Sequence, residues 1–464
     1  TNLERLKVIE SPYNPITGEG SFSIQRQHVT CEDFPLKEMW LPVDFIETGF
    51  CQIILHLGIR KYITNILRQE YSEYMANLLY TEFCVQRFQY DFEFWAYSTA
   101  KISPKGGGDD ISFFLNRAQR IYLTTLEKLR MSNQPINIIL LKARQWGGST
   151  LTQIYMLWIQ IVHKKNWNSV ICGDVESQSN IVSGMLSKVV EKYPLWATNG
   201  VKLETKPFEG SSKTRQIQFC QCLYSVGSAQ KPDSLRSQNI SMAHLTEVGL
   251  WKETKGKKPE DLVQSIFGSI NDGPYTVKVL ESTAKGVGNY FHRTWLKAIK
   301  GENDLTPVFI AWFMIDMYSA YIGQKNYRSF IESMDEYEMY LFELGATLEA
   351  IAWYRKKKKS MEEEWRMCSE YPSDPKEAFQ STGRPYFPRQ YVEQARKTCM
   401  EPAFYGEFVG ASTKGKAAFD NLHFVEMKRK KDSKDNILQV WFLPDKILSL
   451  QREICCKRGY RWNR

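Results

Sequence analysis

The chain has 464 residues and a formal net charge of +9, from 61 Lys and Arg against 52 Asp and Glu. Hydrophobic residues at 43% and aromatics at 13% can fill sizeable cores and exclude disorder as the main state. At roughly 150 residues per domain the length allows two to four domains. No apolar stretch approaches the roughly 18 residues a spanning helix needs, so no membrane association is expected. The basic excess permits a polyanionic partner. Ten cysteines are too sparse for a disulfide framework, and no CxxC pair exists. Cys220 and Cys222 alternate as strand neighbours would. A chain that starts at Thr1, with no charged-then-apolar leader, suggests a trimmed cytoplasmic protein.

In chain order, residues 1 to about 60 alternate short apolar runs with Pro and Gly and specify no element. Residues 64–98 read as helical and aromatic-rich, and 101–110 (KISPKGGGDD) as an exposed break. From about 111 to 320 strands and helices alternate, the pattern of a doubly wound sheet. Short β-rich runs fall at 136–141, 169–173, 239–245 and 275–281, and an amphipathic helical pattern covers 151–163. From about 320 to 378 the chain is acidic, aromatic and helical, and after 384 strand-like and basic. The domains expected are 1–105, 106–320, 321–385 and 386–464.

Three segments could carry chemistry. In INIILLKARQWGGSTLTQ (136–153) an apolar strand enters a loop, and a helix opens at Ser149 or Thr150. Backbone N–H groups of such a loop and helix N-terminus can face a phosphate, and a hydroxyl can hold Mg²⁺. Against GxxxxGK[ST], Gly147 and Ser149 fit, but Gly148 replaces the lysine and Lys142 the first glycine. The loop's charge must then come from Lys142 or Arg144; the alternative is an ordinary strand–turn–helix crossover. In NISMAHLTEVGLW (239–251) a strand ends in Thr246-Glu247, where a P-loop ATPase needs a carboxylate to orient water or hold the metal's water. A solvated strand end is the alternative. In 275–295 a strand ends in Ser282-Thr283, hydroxyls suited either to sensing a γ-phosphate or to capping a helix.

With FLNRAQ (114–119), ARQWGGST (143–150), GSAQKPDSLRSQNISMAHLTEVGLW (227–251), ESTAKGVGNYFH (281–292), IAWYRKKKK (351–359) and 369–387, the sequence resembles the large terminase subunit of tailed phages from about 110 to 390. The resemblance implies an α/β fold: a P-loop (RecA/ASCE-like), mostly parallel sheet flanked by helices. An N-terminal helical region, a helical lid and a small basic strand-rich C-terminal segment would complete it. It implies an ATP-hydrolysing motor that moves double-stranded DNA into a procapsid in the cytoplasm of a phage-infected or lysogenic bacterium. ATP and Mg²⁺ would be its cofactors. The portal and the terminase small subunit would be its partners, and a pentameric ring its active form, with a monomer compatible with the isolated chain.

The implied site follows residue by residue. Gln119 reads adenine. Lys142, Arg144, Gln145, Trp146, Gly147, Gly148, Ser149 and Thr150 form a variant Walker A loop, with Arg144 on the phosphates. Ser149, Thr246 and Glu247 face Mg²⁺, Glu247 as the Walker B carboxylate that orients water. Ser282 and Thr283 couple γ-phosphate loss to the lid, and Arg236 is a trans-acting finger. The family's nuclease is not expected in this chain, whose sequence passes LQVWFLPDK (438–446) and then has few carboxylates. The basic runs 355–359 and 428–431 are candidates for phosphate contact. The two competing readings are a nucleotide-binding or docking module without turnover, and a superfamily 2-type helicase.

Overall fold

The computed structural model describes residues 1–104, 106–211, 213–230, 239–252, 258–361 and 364–380, and beyond them three strands. The chain forms two compact units, Thr1–Gly383 and Arg384–Arg464. A hairpin of β1 (Arg26–Thr30) and β2 (Glu38–Pro42) precedes helices Gly49–Lys61, Glu73–Arg87 and Phe92–Thr99. Two short strands, β3 (Lys101–Ile102) and β4 (Ile111–Ser112), pair across the expected linker, so its ends are held together.

The first unit is built on one eight-stranded sheet. Its members are β5 (Ile136–Lys142), β6 (Ser169–Gly173), β7 (Thr205–Pro207), β8 (Thr214–Ile217), β9 (Cys222–Ser228), β10 (Met242–Thr246), β11 (Val277–Ser282) and β12 (Thr306–Ile310). Their order is β12-β5-β11-β10-β6-β9-β8-β7. Pairing is parallel from β12 to β9 and antiparallel from β9 to β7. The expected α/β architecture, a mostly parallel sheet flanked by helices, is therefore present. Strands β5, β6, β10 and β11 are buried at every position, which is why they read as short continuous apolar runs rather than alternating ones.

Alternation divides these strands between two cores. Ile136, Ile138, Leu140, Val277 and Val279 face the helix Gly148–Trp158 and the N-terminal helices. Ile139, Leu141, Leu245 and Leu280 face the helices Pro259–Phe267 and Tyr290–Ile299. The N-terminal region joins the first core directly: Phe92 packs edge-on against Tyr155 and Trp158, at 5.1 and 5.4 Å between ring centroids. A buried ionic cluster fixes its start. Arg26 clasps Asp91 through two 2.7 Å hydrogen bonds, and Arg87 Nε donates to the same carboxylate at 2.8 Å.

Cys220 and Cys222 are not strand neighbours. β8 ends at Ile217 and β9 opens at Cys222, and Gln221 takes φ 58° in the intervening turn. In the second unit β13 (Phe404–Gly410), β14 (Leu422–Glu426) and β15 (Leu438–Val440) form an antiparallel sheet with β13 central.

Candidate functional site

Between β5 and the helix Gly148–Trp158 the chain must reverse within five residues, and two take left-handed backbone: Gln145 at φ 62° and Gly147 at φ 82°. Glycine suits 147 twice over, since a Cβ there would stand 2.7 Å from Gln119 Nε2. The helix that follows has no side-chain N-cap, so its first-turn N–H groups face the loop. Lys142, Gln145, Trp146, Gly147, Gly148, Ser149 and Thr150 line a cleft of about 300 Å³. Uncapped N–H groups, a lysine and a hydroxyl around such a cleft make a donor set suited to an anion.

Register explains which side chains converge on it. Thr246 pairs with Glu281, and Glu281 with Leu140, so these positions share one sheet face with His244 and Lys142, two residues along their strands. On that face the Lys142 ammonium lies 2.7 Å from Glu281 Oε1 and 3.3 Å from Glu247 Oε1. The Ser149 hydroxyl donates to the same Glu281 oxygen, and Thr246 Oγ1 donates to it at 3.3 Å. His244 Nε2 meets Glu281 Oε2 at 3.0 Å, while its Nδ1 accepts from Gln153 Nε2 at 2.7 Å.

Burial alone would push the fully buried Glu281 carboxyl up. The Lys142 charge and the His244 ring outweigh it and hold the carboxyl well below its ordinary range. Burial likewise opposes the charge of Lys142, but Glu281 and then Glu247 raise its pKa above that of a free lysine. Sequence reasoning missed Glu281 and Gln153. One signal was available: Glu281 falls in phase with Val277 and Val279, a carboxylate on an otherwise apolar face of a strand.

Glu247 follows β10 with φ 55° and is 22% exposed at its side chain. For a residue with a Cβ this backbone costs on the order of 1–2 kcal/mol. It aims the carboxylate at Lys142, and Thr283 Oγ1 donates to it at 3.4 Å.

Other expected residues have different surroundings. Ser282 lies on the opposite face, where its hydroxyl accepts from Gly249 N at 3.0 Å and donates to the Thr283 carbonyl at 2.7 Å. Arg144 is half exposed and pairs with Glu370 at 3.0 Å; its carbonyl accepts from Tyr318 Oη. The Gln119 amide is buried and braces the loop: Nε2 donates to the Gly147 carbonyl at 2.9 Å, and Oε1 accepts from Asn116 N at 3.0 Å. Asn116 in turn donates to the Trp146 carbonyl at 2.9 Å. Arg236 lies outside the described residues, as does the 428–431 run. Arg355, at the head of the other basic run, pairs with Glu338 at 2.6 Å and stacks on Phe330.

The space beside Gly148 is filled by a neighbouring ring. A Cβ on Gly148 would stand 2.5 Å from Trp146 Cζ2, and Trp146 is 2% exposed. No side chain can leave residue 148 while that indole is in place, so among the residues lining the cleft the cation is Lys142, from the end of β5.

No protein-family model and no curated protein matches the chain. Among solved structures it is similar to the large terminase ATPase domain of Thermus phage P74-26, at 15% identity and TM-score 0.33, over 51% of this chain and 87% of that one. It is also similar to the large terminase of bacteriophage HK97, at 15% identity and TM-score 0.41, over 68% of this chain and 60% of that one. For the large terminase of a further, thermophilic bacteriophage the values are 14% and 0.33, over 48% of this chain and 51% of that one.

Proposed function

We propose that the chain is the ATP-hydrolysing motor portion of a terminase-like DNA-packaging enzyme. The observation that carries this reading is the cleft at an uncapped helix N-terminus lined by Lys142 and Ser149, with Glu247 Oε1 3.3 Å from the Lys142 ammonium. Loop N–H groups and Lys142 would hold the phosphates of ATP. Ser149, Thr246 and the carboxylates supply hard oxygens that suit Mg²⁺, which would neutralise charge on the phosphates. Glu247, the more exposed carboxylate, would orient the attacking water, with Thr283 reporting on its position. The double-stranded DNA substrate, portal, small-subunit partner and ring assembly rest on the motif resemblance.

In this reading Gln119 braces the loop, so contact with adenine would require exchange of its bond to Gly147. Arg144 must leave Glu370 to meet phosphate. That second feature also favours one alternative, a nucleotide-binding module without turnover, in which Arg144 stays with Glu370. The deciding experiment is DNA-stimulated ATP hydrolysis by the purified chain beside Glu247→Gln. Turnover abolished in the variant with nucleotide binding retained is the expected result. Binding without turnover in the parent chain, with DNA present, would favour the alternative.

A further inference from the structure

Glu281 is the most heavily engaged carboxylate of the site, and sequence reasoning assigns it no role. It has no exposed surface, yet four donors converge on it: Lys142, Ser149, Thr246 and His244. Three of them share Oε1, the oxygen nearest the cleft residues. The fourth, His244, holds Oε2 from behind and is itself held by Gln153. The carboxylate therefore cannot rotate without breaking a buried hydrogen-bonded chain.

The two groups that a metal-bound nucleotide needs from this loop, an ammonium and a hydroxyl, are thus tied to one oxygen. Lys142 also faces Glu247, so these three side chains carry one more negative charge than positive. A phosphate arriving without a divalent cation would draw Lys142 away and leave two carboxylates facing it. With a cation, the carboxylates have a new counter-ion when Lys142 and Ser149 move to the ligand.

Building on the nucleotide reading, we propose that Glu281 is a positioning residue that keeps Lys142 and Ser149 aligned at the cleft and makes entry of the nucleotide depend on its metal. His244 and Gln153 orient the carboxylate for that task.

The test is the affinity of the full chain for a fluorescent ATP analogue, with Mg²⁺ and with EDTA, in the parent protein and in Glu281→Gln. The parent should bind at least about tenfold more tightly with Mg²⁺, the scale set by one unbalanced charge near the phosphates. In Glu281→Gln that ratio should fall to within about threefold, because metal-free binding strengthens. A purely structural Glu281 would weaken both affinities alike and leave the ratio unchanged, which would overturn the proposal. Should Glu281→Gln fail to fold, Glu281→Asp keeps the charge but shortens its reach to Lys142 and Ser149. An intermediate ratio is then expected, and an unchanged one counts against the proposal. A parent chain that binds the analogue equally with and without Mg²⁺ overturns the Glu281 role alone. A parent chain that binds it under neither condition overturns the nucleotide reading and the proposal with it.

Discussion

The indole of Trp146 stands where a side chain on residue 148 would begin, 2.5 Å from the site of a Cβ on Gly148. The ring is 2% exposed and also packs edge-on against Tyr122, with ring centroids 6.1 Å apart, so it has little room to move. Gly148→Ala should therefore lower stability by about 1–3 kcal/mol, the usual cost of overpacking. Gly148→Lys should fail to act as a restored loop lysine. Combining it with Trp146→Leu, which clears the space, should recover part of the lost stability. Urea unfolding of the four proteins checks this, and an Ala variant as stable as the parent would contradict the packing argument.

Lys142 is the counter-ion of a buried carboxylate as well as the cation among the residues lining the cleft. Lys142→Met should thus do two things at once. It should abolish nucleotide binding, and it should destabilise the unliganded protein by about 3–5 kcal/mol, because Glu281 is left buried without its cation. Lys142→Arg should not rescue, since a planar guanidinium does not fit a site shaped around a point charge. Thermal unfolding beside fluorescent-nucleotide titration separates the two effects. A Lys142→Met protein that melts like the parent would remove Lys142 from the buried network.

The central strands were legible because both of their faces are buried, which turns them into apolar runs that no helical period fits. The strand–turn–helix order at 136–158 was legible because an apolar run, a glycine-bearing turn and an amphipathic pattern follow one another there. What the sequence hid depends on contacts between distant segments. Residues 1 to about 60 specify no element in the sequence because their elements are short and are held by pairs such as Arg26 with Asp91, 65 positions apart. Arg144 sits beside the loop in sequence, yet Glu370 draws it aside. The hydroxyls of Ser282 and Thr283 attract notice as a pair, but alternation sends them to different faces, and the residue just before them carries the buried charge. Gly148 was visible as a departure from the lysine pattern; the neighbouring indole that leaves no room for a Cβ there needed the fold.

The Arg144–Glu370 pair offers a sharper view of that loop. Its side chains are 49% and 22% exposed, so its contribution to stability should be below about 1 kcal/mol. Its effect on ligand binding should be larger than its effect on folding. If Arg144 turns to the phosphates, Glu370 competes for it. Glu370→Gln should then tighten nucleotide binding by up to about fivefold, the equivalent of roughly 1 kcal/mol. Arg144→Ala should weaken binding with almost no change in melting temperature. Equal affinities in all three proteins would leave Arg144 a structural contact of the helix Glu364–Glu370 and favour the reading without turnover.

Asp91 makes the strongest prediction about acid stability. Burial alone would raise its pKa, but Arg26 and then Arg87 outweigh burial and hold the carboxyl well below the ordinary aspartate value. A carboxyl that is more acidic folded than unfolded stabilises the protein fully at pH values above the unfolded pKa of about 3.9. That contribution is lost as pH falls further, toward the folded value, because protons then bind the unfolded chain preferentially. The contribution of Asp91 to stability should accordingly be constant from pH 7 to about 5, then decline below about pH 4 with a slope of up to ~1.4 kcal/mol per pH unit. Asp91→Asn should unfold less steeply in acid, since one titrating group is gone. At pH 7 the same variant should be destabilised by about 3–5 kcal/mol, because two buried guanidinium groups lose their shared anion. Asp91 also accepts from Phe94 N at 3.1 Å and so caps the helix Phe92–Thr99. An asparagine oxygen can keep that bond, so the helix should persist in the variant. Denaturant unfolding of the two proteins across pH 2.5–7, with the N-terminal helices followed by hydrogen exchange, would reveal it: parallel pH profiles would mean that the Arg26–Asp91–Arg87 cluster is not what acid dissolves.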